Sequence, residues 1–157
     1  MRRKLNLISQ LLVTIAKPTI SPIIIHMNST ELIYAHFDRS ALPVIIVTFS
    51  GVKETDENFA AYLDELLANY DKKQVFSLVF DASNAPNPNL KYQLRQARWM
   101  KEHETLIKTY CKGVAYVMPN NFLRIVLKAI FKIQRNPVPF RVFKKLDRGC
   151  IWAEAFH

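Results

Sequence analysis

Glycine is scarce in this 157-residue chain: Gly51, Gly113 and Gly149 are the only three. They stand far apart, whereas phosphate-cradling loops and dinucleotide fingerprints need clustered glycines. Nucleotide binding by either device is excluded, and no G-x-S-x-G elbow for a hydrolase is present. Cysteine is rarer still. Cys111 and Cys150 are too few for a disulfide framework and read as reduced thiols of a cytoplasmic protein. The four histidines, His26, His36, His103 and His157, form no metal-ligand spacing with one another or with cysteine. In Glu102-His103-Glu104, consecutive helical residues would point about 100° apart and could not converge on one ion, so the triplet reads as a solvated helix surface. Cys111 lies eight residues after His103 with no third group to orient an imidazole, so no Cys/His nucleophile is identified. No stretch approaches the ~20 apolar residues that span a bilayer. The sequence thus names no catalytic residue, no metal site and no cofactor.

What is present is an ordinary globular composition, 50% apolar and 22% charged, in a chain the usual length of one domain. The net charge is +9, and it is unevenly spread. Residues 1–28 carry Arg2, Arg3, Lys4 and Lys17 with no acid. Residues 29–110 are slightly acidic, and residues 111–157 set nine basic residues against Asp147 and Glu154. A basic excess at both ends suits an acidic protein, an anionic membrane surface or nucleic acid, and also serves solubility. Nucleic acid is the weakest of these, because no helix-turn-helix, zinc finger or aromatic RNA-binding signature accompanies the charge.

Residues 1–28 read as a separate extension. A basic start precedes an apolar stretch, Leu5 to Ala16, that Asn6, Ser9, Gln10 and Thr14 interrupt, and no small-residue cleavage site follows. Three readings stay open. It is an amphipathic surface segment with Leu5, Ile8, Leu12 and Ile15 on one face, a disordered extension, or a stretch upstream of a true start at Met27.

Residues 29–157 read as one α/β domain. Leu32–Phe37 and Pro43–Ser50 are strands, the second closed by Gly51. Thr55 caps a helix whose first turn holds Asp56 and Glu57 and whose apolar face holds Phe59, Leu63, Leu66, Leu67 and Tyr70. Val75–Phe80 is an apolar run expected of a central strand. After a loop rich in Asn and Pro, Asn87 or Asn89 caps one long helix, Leu90–Tyr110, with Leu90, Leu94, Ala97, Trp99 and Met100 on its apolar side. Gly113–Met118 is a strand, and Asn120 caps a helix over Asn121–Gln134. Phe140–Phe143 is a strand, and Asp147 starts a terminal helix with Ile151, Trp152, Ala153 and Phe156. The order β-β-α-β-α-β-α-β-α implies a mainly parallel sheet with an antiparallel opening pair.

From Glu31 to Phe156 this order resembles the SpoIIAA-like, or STAS/Sec14-type, family of small bacterial proteins. The likeness rests on Ile45 to Gly51 before an acid-led helix and on Val79 to Asp81 before a Pro/Asn loop and a helix bearing Trp99. It continues through Gly113 to Val117 before a helix, and Phe140 to Phe143 before a short helix with Ala153 near its end. The resemblance implies a single STAS-like domain, helices packed mostly on one side of the sheet. It also implies a regulatory or protein-interaction role, without enzymatic activity. Anti-sigma-factor antagonists of this fold carry a phosphorylatable serine in an Asp-Ser-Ser-Gly type sequence. Here Asp81 and Ser83 lead into Asn84 and no Ser-Ser-Gly follows, so the phospho-switch is not carried over, and Ser83 reads as a loop-capping serine. The Sec14 part of the label suggests a lipid-type ligand.

Two regions are candidates for binding. Asp81 ends a buried strand at the carboxyl edge, where open α/β sheets take ligands, and Ser83, Asn87 and Asn89 follow it in the same loop. In the helix after Pro119, Arg124, Lys128, Lys132 and Arg135 fall on one face, and Lys144 and Lys145 lie nearby. Phe122, Leu123, Val126, Leu127, Ile130, Phe131 and Ile133 cover much of the rest, more than one core face requires. The plain reading is a docked helix with a solvated basic rim; the functional one is a basic, partly apolar surface for an acidic protein or anionic lipid. The expected partner is a protein. The alternative is a carrier or sensor of a lipid or small apolar ligand, cytoplasmic and peripheral to the inner face of the membrane. A homodimer stays open.

Overall fold

The computed structural model describes residues 33–157. The basic extension 1–28 with Arg2, Arg3, Lys4 and Lys17, His26, the start at Met27 and the first strand's Leu32 lie outside the described residues. Ten elements follow in order: β1 (Ala35–Asp38), β2 (Val44–Phe49), α1 (Asp56–Ala68), β3 (Phe76–Asp81), α2 (Leu90–Glu102), α3 (Glu104–Tyr110), β4 (Cys111–Val117), α4 (Asn121–Ile133), β5 (Phe140–Phe143) and α5 (Leu146–Glu154). The strands form one five-stranded sheet in the order β1-β2-β3-β4-β5. β1 runs antiparallel to β2, and every other neighbour is parallel. The α/β class and the antiparallel opening pair agree with the sequence.

That topology dictates where the helices go. From β2 onward each strand is added on the same side of the last, and right-handed crossovers then place every connecting helix on one face. Accordingly α1, α2, α3 and α4 cover one face, and only α5, which follows the last strand, folds onto the other. Strand alternation serves both layers. Ile45, Val47, Leu78, Phe80 and Val114 face the four-helix layer, while Val44, Val79, Ala115 and Val117 meet Ala153 of α5. α5 lies close because Gly149 has no side chain: a Cβ there would sit 3.0 Å from Val117 Cγ2.

Local signals set the helix starts. The Thr55 hydroxyl accepts the Asn58 N–H at 3.1 Å, and the Asn58 amide oxygen accepts the Thr55 N–H at 2.8 Å, which closes a capping box. Asn89 caps α2 through the Lys91 N–H, and Asn120 caps α4 through the Phe122 N–H. β2 closes at Gly51, whose φ of +91° few other residues adopt.

The structure corrects four readings. The helix expected over Leu90–Tyr110 breaks at His103. The His103 ring stacks on Trp99, and its Nδ1 reaches the Trp99 carbonyl at 2.9 Å. That carbonyl only accepts, so Nδ1 carries the proton. The chain restarts as α3, re-aimed so that Ile107 is buried. Leu90 and Leu94, expected on the apolar side of α2, are 67% and 41% exposed, while Ala97, Trp99 and Met100 are buried. The last helix begins at Leu146 after Lys145, not at Asp147, and stops before Phe156, whose ring lies over Gly113. Finally, α4 ends at Ile133, so Arg135 lies beyond the stripe of Arg124, Lys128 and Lys132.

Candidate functional site

At the carboxyl ends of β2, β3 and β4 stand three aromatic residues, Phe49, Phe80 and Tyr116. All face the four-helix layer. Their rings lie nearly parallel, 6.2 Å and 5.6 Å apart between centroids, and form an aromatic stack across three strands. α2 and α4 pass over it without closing on it. Between them remains a cavity of about 120 Å3. Leu123, Leu127 and Phe131 of α4 make one wall, Gln96 and Met100 of α2 the other, and Ala82, Ala85, Pro86 and Pro88 close the end. An enclosed cavity of about 150 Å3 with an aliphatic and aromatic lining holds benzene, whereas this one opens to solvent between α2 and α4. Its volume is of that order, and below the ~300 Å3 typical of pockets for drug-sized ligands.

Among the described residues no charged side chain lines the cavity. Its polar members are the phenols of Tyr34, Tyr62 and Tyr116 and the amides of Gln93 and Gln96. The Tyr116 hydroxyl accepts a hydrogen bond from Asn136 Nδ2 at 3.0 Å. Burial raises the Tyr62 phenol far above its usual range, and the neighbouring Tyr34 adds to the effect. Burial likewise raises Tyr116. Both stay neutral at physiological pH, where they offer a hydrogen bond but no charge.

The loop that the sequence nominated contributes its apolar members to this cavity, and its polar members elsewhere. Asp81 alternates with Phe80 and so faces the other side of the sheet. Its Oδ1 accepts the Ser83 N–H at 3.0 Å and the Ser83 hydroxyl at 2.6 Å, a local turn. Asn89 is the α2 cap, and Asn87 is exposed. The connections after β2, β3 and β4 all leave toward one face, so no ligand crevice of the switch-point kind opens at Asp81. The divergence falls between β4 and β5, beside Lys144 and Lys145.

α4 has three faces. Leu123 and Leu127 are buried, and Phe131 packs half-buried against Tyr116 and Phe140. Phe122 and Ile125 project outward, 51% and 65% exposed, beside exposed Ala129. Lys128 and Lys132 are exposed between these two faces, whereas the Arg124 Nε donates to the Met118 carbonyl at 2.9 Å. The salt bridges among the described residues are Arg39–Glu65, Lys91–Asp56 and Lys108–Glu104. Arg124, Lys128, Lys132, Arg135, Lys144 and Lys145 pair with no described carboxylate.

Elsewhere the chemistry is muted. Cys111 is buried, and burial pushes its thiol up to about 12, far from a reactive thiolate. Among the described residues no group of three His, Cys, Asp or Glu side chains could hold a metal ion, and no helix is long and apolar enough to cross a membrane.

The aromatic stack escaped the sequence reading, though a signal for it existed: each of three successive strands bears an aromatic residue at or near its carboxyl end, in register to face the same way. No family model, curated protein or solved structure matches this chain.

Proposed function

We propose that this chain is a non-enzymatic STAS-like module that binds a small, neutral, largely apolar molecule between α2, α4 and the sheet. The observation that carries the reading is the uncharged cavity of about 120 Å3 over the rings of Phe49, Phe80 and Tyr116. Its lining holds no nucleophile and no side chain that exchanges protons near neutral pH, so it suits retention and not turnover. The ring stack suits an aromatic group, which gains by offset or edge-to-face contact with these rings. The Tyr62 and Tyr116 hydroxyls and the Gln96 amide allow one neutral polar substituent. The STAS resemblance draws support from the mixed sheet with its antiparallel opening pair and from four helices on one face. In that setting ligand occupancy would act on a partner through α4, which forms the cavity wall.

Isotope-labelled protein titrated with benzene and indole tests this. Saturable shifts at Phe80, Tyr116 and Leu127 are expected, lost in Ala85→Leu, which fills the cavity from its end. Shifts confined to surface residues, or none at saturating probe, would overturn the proposal.

A further inference from the structure

We infer that the outer face of α4 docks the domain on an anionic lipid bilayer. The helix that walls the cavity with Leu123 and Leu127 turns Phe122, Ile125 and Ala129 outward at i, i+3 and i+7, with Lys128 and Lys132 alongside them. Leu90 and Leu94 add exposed apolar surface at the start of the neighbouring α2. α4 contains no acidic residue, and Lys144 and Lys145 add charge from the loop after β5. An outward apolar strip bordered by lysines is the layout of a helix that lies in a membrane interface, its cations reaching up to headgroups while its apolar side chains enter the acyl boundary.

Charge distribution across the molecule sets the orientation. α1 carries Asp56, Glu57, Asp64 and Glu65 and no base, with Asp56 and Glu65 paired to Lys91 and Arg39. α2, next to it, sets Lys91, Arg95, Arg98 and Lys101 against Glu102. α4 beyond carries Arg124, Lys128 and Lys132 and no acid, so positive charge spans α2 and α4. A negative surface therefore attracts the α4 side and repels the α1 side. The choice of bilayer over acidic protein rests on the cations. The one α4 arginine donates its Nε–H to the Met118 carbonyl, which blocks its side-on pairing with a carboxylate, and the cations beside the outward apolar strip are Lys128 and Lys132. Lysine is a hydrated point charge on a flexible stem, suited to a diffuse field of headgroups and not to the bidentate pairing that selects carboxylates. The inference does not depend on the cavity's ligand, because the side chains involved point away from the cavity.

Flotation of the full chain with vesicles tests it, one set of phosphatidylcholine alone and one with phosphatidylglycerol added. Association with the anionic vesicles is expected, falling as salt rises, with little on the neutral set. Each of Lys128→Gln and Lys132→Gln should weaken it about fivefold, and Ile125→Ser about tenfold. All three positions are exposed, so melting temperatures should match the parent chain. Absence of anionic binding, equal binding to both vesicle sets, or anionic binding that these variants leave unchanged would each overturn the inference. So would a concentration-dependent rise in solution mass abolished by Lys128→Gln, which would assign this face to the acidic α1 of a second copy.

Discussion

Leu127→Ala puts the cavity to the test through stability. Leu127 is 7% exposed and packs with Ala82, Met118 and Leu123 under α4, against the empty space. Truncation of a buried leucine costs about 2–5 kcal/mol, rising with the volume left empty. One side of Leu127 already faces a void and has fewer contacts to lose, so a value near the lower end, about 2–3 kcal/mol, is expected. For a domain of this size that is a fall of roughly 10 °C in melting temperature. The enlarged cavity should then admit benzene more readily than the parent's. At a concentration about a hundredfold over its dissociation constant, benzene returns about 2.7 kcal/mol, enough to offset the loss. Circular dichroism melts in sealed cells, with and without benzene, measure both effects. Val44→Ala, on the α5 side of the sheet, is the control and should show no rescue. A loss under about 1 kcal/mol in Leu127→Ala, or a benzene gain no larger than in the control, would mean that α4 does not roof a cavity as described.

Three further outcomes follow from the geometry. Thr55→Ala should cost about 1 kcal/mol in urea unfolding, and combining it with Asn58→Ala should cost less than the sum of the two, because each side chain serves the other's backbone N–H. Gly149→Leu should lift α5 from the sheet and abolish the near-ultraviolet signal of Trp152, whereas in Gly149→Ala a gain of about 1 kcal/mol in helix propensity works against crowding of Val117, leaving the fold intact. Cys111 should resist iodoacetamide at pH 8, while Cys150, half-buried and with its thiol also raised by burial, reacts slowly but sooner, read by mass spectrometry. The sign for Cys111 is that of a raised acid. Its contribution to stability is complete below the thiol's unfolded value of about 8.5 and is lost as pH climbs toward about 12. Alkaline unfolding should therefore accompany exposure of that thiol to the reagent.

What the sequence made legible was local. Thr55, Asn89 and Asn120 cap helices through bonds to residues two or three positions on, and β5 falls on Phe140–Phe143 as its pattern implies. The break at His103 was not legible, since it needs the ring of His103 on Trp99 and a place for Ile107 in the core. Arg135 projects onto the stripe one residue past the expected helix end at Gln134, but α4 stops at Ile133 and Gln134 is already extended, so Arg135 does not continue the stripe. Leu90 and Leu94 follow the apolar periodicity of α2 yet stay exposed, because periodicity fixes a face and not what covers it. The cavity is the least legible feature. It is a gap left between three strands and three helices that are distant in sequence, and residue types encode filled space more directly than empty space.

The placement of α4 follows from the order in which the strands are wound. Because β2, β3, β4 and β5 are added in one direction, the helices between them lie side by side, α1 next to α2 and α2 next to α4. The acids of α1 therefore meet the bases of α2, where Lys91 pairs with Asp56, and the bases of α4 stand a helix further off with no acid beside them. The same order leaves α4 with α2 on one flank and no further crossover helix on the other, so two of its three faces remain for solvent or a partner. A substitution of Phe122 or Ile125 by a polar residue should then change surface behaviour with little effect on the melt, whereas one at Leu123 or Leu127 should do the reverse. If both kinds destabilised alike, α4 would be scaffold throughout, and the reading of its outer face as a binding surface would fall with it.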